Sequence, residues 1–190
     1  FRPYSSYGRE IHNSMAHYIV GCVPTRGDNS QSHRSWVRRL ITENPLQPCR
    51  SKGPHELIAG FAGFWIMLDE AHIIAIAVRP PFRRQSIGEG LLLSVIDMAT
   101  SLQTRMITLE VRESNHPAQQ MYLKYGFHVV GKRPRYYSDN QEDAVLMSIQ
   151  DLHDPEFREM FRQQESEMLH HGKLAHMVEV PEGTYDPVPD

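Results

Sequence analysis

The stretch Arg84-Gln85-Ser86-Ile87-Gly88-Glu89-Gly90 separates an apolar, β-branched run at residues 73–78 from an amphipathic helical pattern at residues 91–102. A turn of small residues before a helix presents unpaired backbone N–H groups, and the positive end of the helix macrodipole points the same way. Such a turn can bind an anion, and Arg83 and Arg84 add charge that suits phosphate. The alternative is an ordinary turn in which the glycines only relax the backbone. Two glycines alone leave both interpretations open.

This stretch lacks the marks of two common phosphate-binding motifs. The dinucleotide-binding fingerprint needs three spaced glycines and an acidic residue about twenty positions later, and the third glycine is absent. A P-loop needs Gly-Lys-Ser/Thr at the start of the helix, and that sequence is absent too. An anion bound here would therefore occupy a site of another class.

Length and charge narrow the functional classes. The 190 residues suffice for one domain with a hydrophobic core. The net charge is -3 and the basic residues form no stripe along one element. This argues against a general nucleic-acid-binding protein, because such proteins cluster cations against phosphates. The two cysteines, Cys22 and Cys49, are too few for a disulfide scaffold and fit a reducing cytoplasm.

Neither a membrane anchor nor a metal site is expected. The longest apolar run, residues 57–68, is too short to cross a bilayer. The start of the chain shows no signal peptide, and its first residue, Phe1, fits a fragment or a processed form. His170, His171 and His176 lack matching acidic or thiol partners, so we expect them to be solvated rather than to bind a metal. We expect a cytoplasmic protein.

The predicted elements alternate between strands and helices. Strands are predicted at residues 16–23, 56–68, 71–78, 106–111, 127–137 and 143–149, and helices at residues 91–102, between 115 and 126, and at 154–171. A tight turn at Asp69-Glu70 joins the second and third strands. The strand–helix–strand unit from 71 to 111 predicts a right-handed crossover and a parallel strand pair. Residues 24–55 form an unusually long loop, and the residues after 171 a loose tail.

The helices carry boundary and packing signals. Asn115 can cap the second helix, Pro117 suits its first turn and Gly126 ends it. The first helix places five apolar residues on one face: Leu92, Val95, Ile96, Ala99 and Leu102.

Two side chains could carry chemistry. Alternation along residues 106–111 puts Glu110 on the opposite face from Ile107, Leu109 and Val111, close to the glycine turn. A carboxylate in a sheet is rarely unpaired unless it has a function, and the competing interpretation is a salt bridge with Arg112. Tyr122 faces inward from the second helix, either as a core residue or as a proton donor over the cleft.

Together these motifs resemble those of a known family. Ile76-Ala77-Val78, residues 84–90, Leu109-Glu110-Val111-Arg112, Ser114-Asn115, Tyr122 and Tyr125-Gly126-Phe127 follow one another as in the GNAT acetyltransferases. Within that family the chain is most similar to the bacterial ribosomal-protein-alanine N-acetyltransferases of the RimI type. The likeness covers residues 16–149. In two respects the chain departs from the pattern. Ser86 stands where glycine is common, and the chain starts inside the region of the family's first strand and helix, with Pro3-Tyr4 where a Pro-Trp pair is common.

The resemblance implies a fold and a set of roles. The fold would be an α/β sheet, mixed and mostly antiparallel, with one splayed parallel pair and flanking helices. It would form a domain at residues 1–150, with a helical extension at residues 151–190. The implied cosubstrate is acetyl-CoA, without a metal. The implied acceptor is the N-terminal peptide of a protein, ribosomal by analogy. The backbone of Ile76, Ala77 and Val78 would bind the pantetheine arm. The pyrophosphate would be held by the amides of Arg84, Gln85, Ser86, Ile87, Gly88 and Glu89, with Gly90 completing the motif and Asn115 contacting the cofactor further along.

The resemblance also assigns Glu110 as the general base and Tyr122 as the general acid, with Tyr136 and Tyr137 at the peptide entrance or as ordinary strand aromatics. Freeing an amine at pH 7 costs about 1.4 kcal/mol for an N-terminus and about 4.6 kcal/mol for lysine, so an N-terminal amine is the easier acceptor. A thiolate with a pKa near 8.5 accepts a proton from an ordinary tyrosine at small cost. Two alternatives remain: a GNAT enzyme that modifies lysine or a small amine, and a non-catalytic acyl-CoA-binding module.

Overall fold

The computed structural model describes residues 15–24, 56–170 and 176–179. Seven strands and three α-helices lie in these ranges: β1 (Ala16–Pro24), β2 (Glu56–Met67), β3 (Glu70–Val78), α1 (Ile87–Ser101), β4 (Met106–Arg112), α2 (His116–Lys124), β5 (His128–Tyr137), β6 (Glu142–Ile149), α3 (Pro155–His170) and β7 (His176–Glu179). The strands form one sheet in the order β5-β6-β4-β3-β2-β1-β7. Only β3 and β4 pair in parallel among these neighbours. The predicted mixed, mostly antiparallel sheet with flanking helices is confirmed.

Two element boundaries differ from the sequence prediction. The turn between β2 and β3 consists of Leu68 and Asp69, one residue before the predicted position, and Leu68 has a left-handed backbone with φ 58. Helix α1 begins at Ile87 rather than at residue 91. The earlier start arises because Ile87 is buried in the core and the Gly90 N–H already donates to the Ser86 carbonyl at 2.9 Å. The glycines thus belong to the first helical turn.

The inner face of α1 forms the centre of the core. Four of its five predicted members are fully buried: Leu92, Val95, Ile96 and Ala99. They cluster with sheet residues that include Phe64 and Leu109. The fifth prediction is wrong, since Leu102 is 41% exposed. Helix α1 ends at Ser101 and Leu102 is its C-cap. The helical periodicity therefore no longer determines on which face the Leu102 side chain lies.

Helix α3 packs into the same core. Phe161 is only 1% exposed, and Phe161 and Met168 belong to the cluster that contains the α1 face. Gly126 ends α2 with φ 88, and a Cβ atom there would lie 2.8 Å from the Cε of Met160. The end of α2 therefore lies directly against α3. The division of the chain into residues 1–150 and 151–190 stays a prediction.

A short strand lies in the segment that the sequence predicts as a loose tail. Strand β7 pairs antiparallel with β1, from Cys22 opposite His176 to Ile19 opposite Glu179. The prediction is wrong for these residues because four positions are too few to show a clear alternation. Pairing with the exposed edge of an existing strand supplies the backbone hydrogen bonds instead.

Some sequence predictions lie outside the described residues. These are Pro3-Tyr4, residues 25–55 of the long loop with Cys49, the side chains of the three C-terminal histidines, and the tail apart from β7. Cys22 is buried in β1. In the ranges that the structure describes, no helix is long and apolar enough to span a membrane. Nor does that part of the chain contain a group of three side chains suited to hold a metal ion.

Candidate active site

The two parallel strands separate towards their carboxyl ends. Strands β3 and β4 pair from Glu70 opposite Met106 to Ile73 opposite Leu109. Beyond these pairs β3 continues to Val78 and β4 to Arg112, and no strand in the described residues pairs with 76–78 on this side. Apart from the Val78 carbonyl, which accepts from Arg83 Nε at 3.2 Å, the backbone groups of residues 76–78 on this side are therefore without a partner in the described part of the chain. Glu110, the first residue after the last paired position, lies where the strands part.

The turn before α1 leaves helical N–H groups without a side-chain cap. Ser86 is the N-cap residue, and its side chain makes no capping hydrogen bond. Arg84 and Ser86 both have left-handed backbones, with φ 61 and 59, a conformation that costs a non-glycine residue about 1–3 kcal/mol. Arg84 and Gln85 are exposed, whereas Ile87 is buried. Uncapped amides beside an exposed arginine form a geometry that accepts an anion.

Gly88 does not relax the backbone of this turn. Among the glycines of the described residues, only Gly126 has a positive φ. A Cβ atom on Gly88 would lie 3.7 Å from Val78 Cγ2 and 3.7 Å from Met121 Sδ, which are ordinary contact distances. The fold would thus tolerate alanine here, and glycine leaves the first amides of α1 without a neighbouring methyl group. The same contacts bring together the end of β3, the start of α1 and helix α2.

Glu110 is nearly buried, with 6% of its side chain exposed, and it has two cationic or proton-donating neighbours. Its Oε2 lies 3.0 Å from Nε2 of His72 on β3, and its Oε1 lies 3.1 Å from a guanidinium nitrogen of Arg133 on β5. The hydrogen bond with His72 is the main cause that lowers the pKa of Glu110, and the charge of Arg133 adds to it. Glu110 therefore stays ionised at neutral pH.

The alternative that Glu110 forms a salt bridge is confirmed, but its partners are His72 and Arg133 rather than Arg112. Arg112 instead lies 2.8 Å from Asp139 and 3.1 Å from Glu142, both in or beside the β5–β6 turn. Its guanidinium also lies 3.9 Å from the ring centroid of Tyr137. Arg112 therefore fixes the turn of the last hairpin, and Glu110 is left to His72 and Arg133.

Tyr122 is the buried phenol of α2. It is 8% exposed, and its ring packs on Phe127 with the centroids 5.6 Å apart. Within the described part of the chain its hydroxyl has no hydrogen-bond partner. Burial raises the pKa of Tyr122 to about 12, and the electrostatic effect of Tyr137 contributes. Tyr122 therefore keeps its proton throughout the neutral range.

Tyr137 connects the two candidate groups. Its hydroxyl donates to the backbone carbonyl of Glu110 at 3.4 Å, and it is close enough to Tyr122 to affect the pKa of that residue. Tyr136 meets Tyr137 edge to face at 5.2 Å and is half-exposed. The two tyrosines thus lie on the hairpin that borders Glu110. Whether they contact a peptide stays a prediction.

Two other predicted cofactor residues have structural partners. Asn115 caps α2, because its Oδ1 accepts from the Ala118 N–H at 3.3 Å; its side chain is otherwise exposed. The Glu89 carboxylate accepts from the Tyr125 hydroxyl at 2.7 Å and lies 3.0 Å from the Lys124 ammonium. These bonds join the start of α1 to the end of α2. The proposed contacts of both residues with a cofactor remain predictions.

Sequence reasoning missed His72 and Arg133. Alternation along β3 places His72 on the same face as Glu70, but only the register, with His72 opposite Thr108, brings it to Glu110. Arg133 comes from a strand that is not a neighbour of β4 in the sheet. Neither contact has a signal in local sequence spacing.

Comparison with known proteins identifies the family of this chain. Residues 17–127, more than half of the chain, match the acetyltransferase (GNAT) family. The chain belongs to the GNAT acetyltransferases. It is 47% identical over 92 residues to a putative [ribosomal protein bS18]-alanine N-acetyltransferase of Bacillus subtilis, which covers 48% of this chain and 61% of that protein. It is 38% identical over 94 residues to the [ribosomal protein bS18]-alanine N-acetyltransferase of Escherichia coli K12, covering 48% and 64%.

A solved structure is similar to about half of this chain. The crystal structure of the ribosomal-protein-S18-alanine N-acetyltransferase from Escherichia coli is 38% identical, with a TM-score of 0.46, and covers 48% of this chain and 61% of that one. This GNAT chain thus spans less than two thirds of the length of the relatives it matches.

Proposed function

We propose that this GNAT protein transfers the acetyl group of acetyl-CoA to the N-terminal α-amine of a protein, with an N-terminal alanine of a ribosomal protein as the acceptor. The observation that carries the proposal is the end of β3–β4 pairing at Ile73 and Leu109, which leaves an open strand edge with Glu110 at its start. The two relatives named for alanine acetylation of bS18 support the choice of acceptor.

The residues around this opening suit acetyl-CoA. The cosubstrate supplies an acetyl group that is activated as a thioester. In the proposal, the open backbone of 76–78 binds the pantetheine arm. The uncapped amides of residues 84–89 bind the pyrophosphate, with Gly88 and Gly90 allowing close approach. The fit rests on the missing side-chain cap of Ser86 and on the absence of a side chain at Gly88. Asn115 would contact the cofactor through its exposed side-chain nitrogen.

Glu110 and His72 receive the proton of the acceptor amine. An ordinary carboxylate lies about 3.7 pKa units below an α-amine and about 6 units below lysine, so the transfer costs about 5 and about 8 kcal/mol. The lowered pKa of Glu110 enlarges both gaps equally. The α-amine is therefore favoured over lysine by about 3 kcal/mol, whatever the pKa of the base. The neighbouring imidazole of His72 shares the proton and reduces the cost for both.

Tyr122 assists the departure of the CoA sulfur in the proposed reaction. With its pKa raised to about 12, full transfer of its proton to a thiolate with an ordinary pKa of about 8.5 would cost about 5 kcal/mol. A tyrosine with an ordinary pKa, as the sequence alone suggests, would transfer its proton at a smaller cost. In the proposal Tyr122 donates a hydrogen bond to the leaving sulfur. The proton itself is transferred only to the extent that burial also raises the pKa of the thiol.

Acetylation of two matched peptides tests the proposal. One peptide begins with a free alanine, and the other has a blocked N-terminus and an internal lysine. We expect the wild-type protein to acetylate the first peptide much faster. Glu110→Gln and Tyr122→Phe should lower turnover by about a hundredfold while calorimetry shows unchanged acetyl-CoA binding. Glu113→Gln, an exposed carboxylate paired with Lys132, is the control and should keep full activity.

Two results would contradict the proposal. Faster acetylation of the lysine peptide would assign a different acceptor to the same site. Binding of acetyl-CoA without turnover of either peptide would indicate an acyl-CoA-binding module.

A further inference from the structure

A chain of four polar side chains extends from Glu110 away from the glycine turn. Glu110 Oε2 lies 3.0 Å from His72 Nε2, and His72 Nδ1 lies 3.0 Å from Thr108 Oγ1. The Thr108 hydroxyl donates to Glu70 Oε1 at 2.5 Å. Parallel pairing of His72 with Thr108 aligns these groups on one face of β3 and β4. The chain thus joins two carboxylates through a hydroxyl and an imidazole.

Counting hydrogens fixes the tautomer of His72. A threonine hydroxyl has one proton to donate, and Thr108 uses it on Glu70. Its oxygen must therefore accept from His72, so Nδ1 carries a proton. The other nitrogen, Nε2, faces Glu110. A proton between Nε2 and Glu110 Oε2 therefore makes the 3.0 Å hydrogen bond of this pair. Once the pair has released that proton, the two atoms can accept one from the amine.

We propose that Glu70 and Thr108 are positioning residues that hold a proton on Nδ1 of His72, so that Nε2 and Glu110 together form the site that takes the proton from the acceptor amine. The inference rests on the proposed function and adds residues that act through His72. In this step an N–H bond of the acceptor's ammonium group breaks and its electron pair stays on nitrogen. The proton enters the pair formed by Glu110 Oε2 and His72 Nε2 after that pair has released its own shared proton to solvent.

Glu70 also makes the pair a better proton acceptor. A carboxylate that accepts, through Thr108, from Nδ1–H favours the protonated imidazole, as the buried acid of a catalytic triad does. Thr108 is buried, and only a quarter of the His72 side chain is exposed, so solvent screens this effect incompletely. The charged or titratable groups that interact with Glu110 are His72 on β3 and Arg133 and Tyr137 on β5.

Thr108→Val removes the hydroxyl and nearly keeps the shape, and Thr108→Ser is the matched control that keeps the hydroxyl. We expect Thr108→Val and Glu70→Gln to lower kcat/KM for the alanine peptide about tenfold or more, the loss expected for one hydrogen bond to a charged group. The acidic limb of the pH–rate profile should move to lower pH by about one unit. Thr108→Ser should behave as the wild type, and acetyl-CoA affinity should be unchanged in all three.

The nitrogen NMR signals of His72, assigned by their loss in His72→Asn, give a readout without catalysis. We expect a proton on Nδ1 in the wild type and in Thr108→Ser, and its loss from Nδ1 in Thr108→Val. A wild-type His72 protonated only on Nε2, or a Thr108→Val variant with wild-type NMR signals and pH profile, would overturn the inference. If the tautomer shifts as expected but no peptide is acetylated, the positioning role stands and the proposed function fails.

Discussion

Gly88→Ala separates the needs of the fold from those of the cofactor. Gly88 is the second residue of α1 and has no positive φ. The new methyl group would meet Val78 and Met121 at 3.7 Å without a clash. Replacing glycine by alanine in a helix stabilises it by about 0.5–1 kcal/mol. For a domain of this size that raises Tm by about 1–4 °C.

The same methyl group should weaken acetyl-CoA binding. In the proposal it stands beside the uncapped amides that hold the pyrophosphate, so the phosphate oxygens must move away from them. We expect the Kd for acetyl-CoA to rise tenfold or more, about 1.4 kcal/mol. Thermal unfolding and titration calorimetry on the same samples measure both effects. We expect Tm and Kd both to rise, which means a more stable protein that binds acetyl-CoA more weakly.

Gly131→Ala is the matched control, because a Cβ atom there meets nothing within 4 Å. It should leave the Kd unchanged. A higher Tm with an unchanged Kd for Gly88→Ala would refute the reasoning, since the pyrophosphate would then not approach this turn. A Tm lower by several degrees would show that the fold itself requires glycine.

Three further predictions concern other contacts. Arg133→Gln removes the guanidinium that lies 3.1 Å from Glu110 Oε1. This carboxylate oxygen can then bind the acceptor amine, so steady-state assays should show a lower KM for the alanine peptide. A higher KM would mean that Arg133 itself binds the acceptor. Phe161→Ala should lower the free energy of unfolding by about 3–5 kcal/mol in urea titrations, whereas Arg162→Ala, 66% exposed, should have little effect; equal small effects would exclude α3 from the cooperative core. Hydrogen bonds from Ser114 lower the pKa of Glu142 from 4.5 to about 2, so its contribution to stability is complete above about pH 4.5 and is lost as the pH falls towards 2. The free energy of unfolding, measured by urea titration, should therefore fall less between pH 6 and pH 3 for Glu142→Gln than for the wild type. Equal decreases would contradict this assignment.

Local sequence determined the features that depend on a few consecutive residues. Asn115 caps α2 and Gly126 ends it with a left-handed backbone, both as the sequence predicts. Alternation along β4 correctly puts Glu110 opposite the buried Ile107 and Leu109. These outcomes follow from steric and hydrogen-bonding preferences that act within one helical turn or along one strand. The membership in the GNAT family was also visible from the order and spacing of the motifs.

Tertiary structure alone decided the partners of Glu110. The register of β3 against β4 places His72 and Thr108 side by side, and the long reach of Arg133 from β5 occupies the other carboxylate oxygen. Sequence spacing instead suggested Arg112, which is two residues away. Arg112 forms its salt bridges with Asp139 and Glu142. A parallel register is set by how the crossover helix packs on the sheet, which no period in the sequence encodes. The sequence therefore determines which face a side chain lies on, and packing between distant segments determines what it meets there.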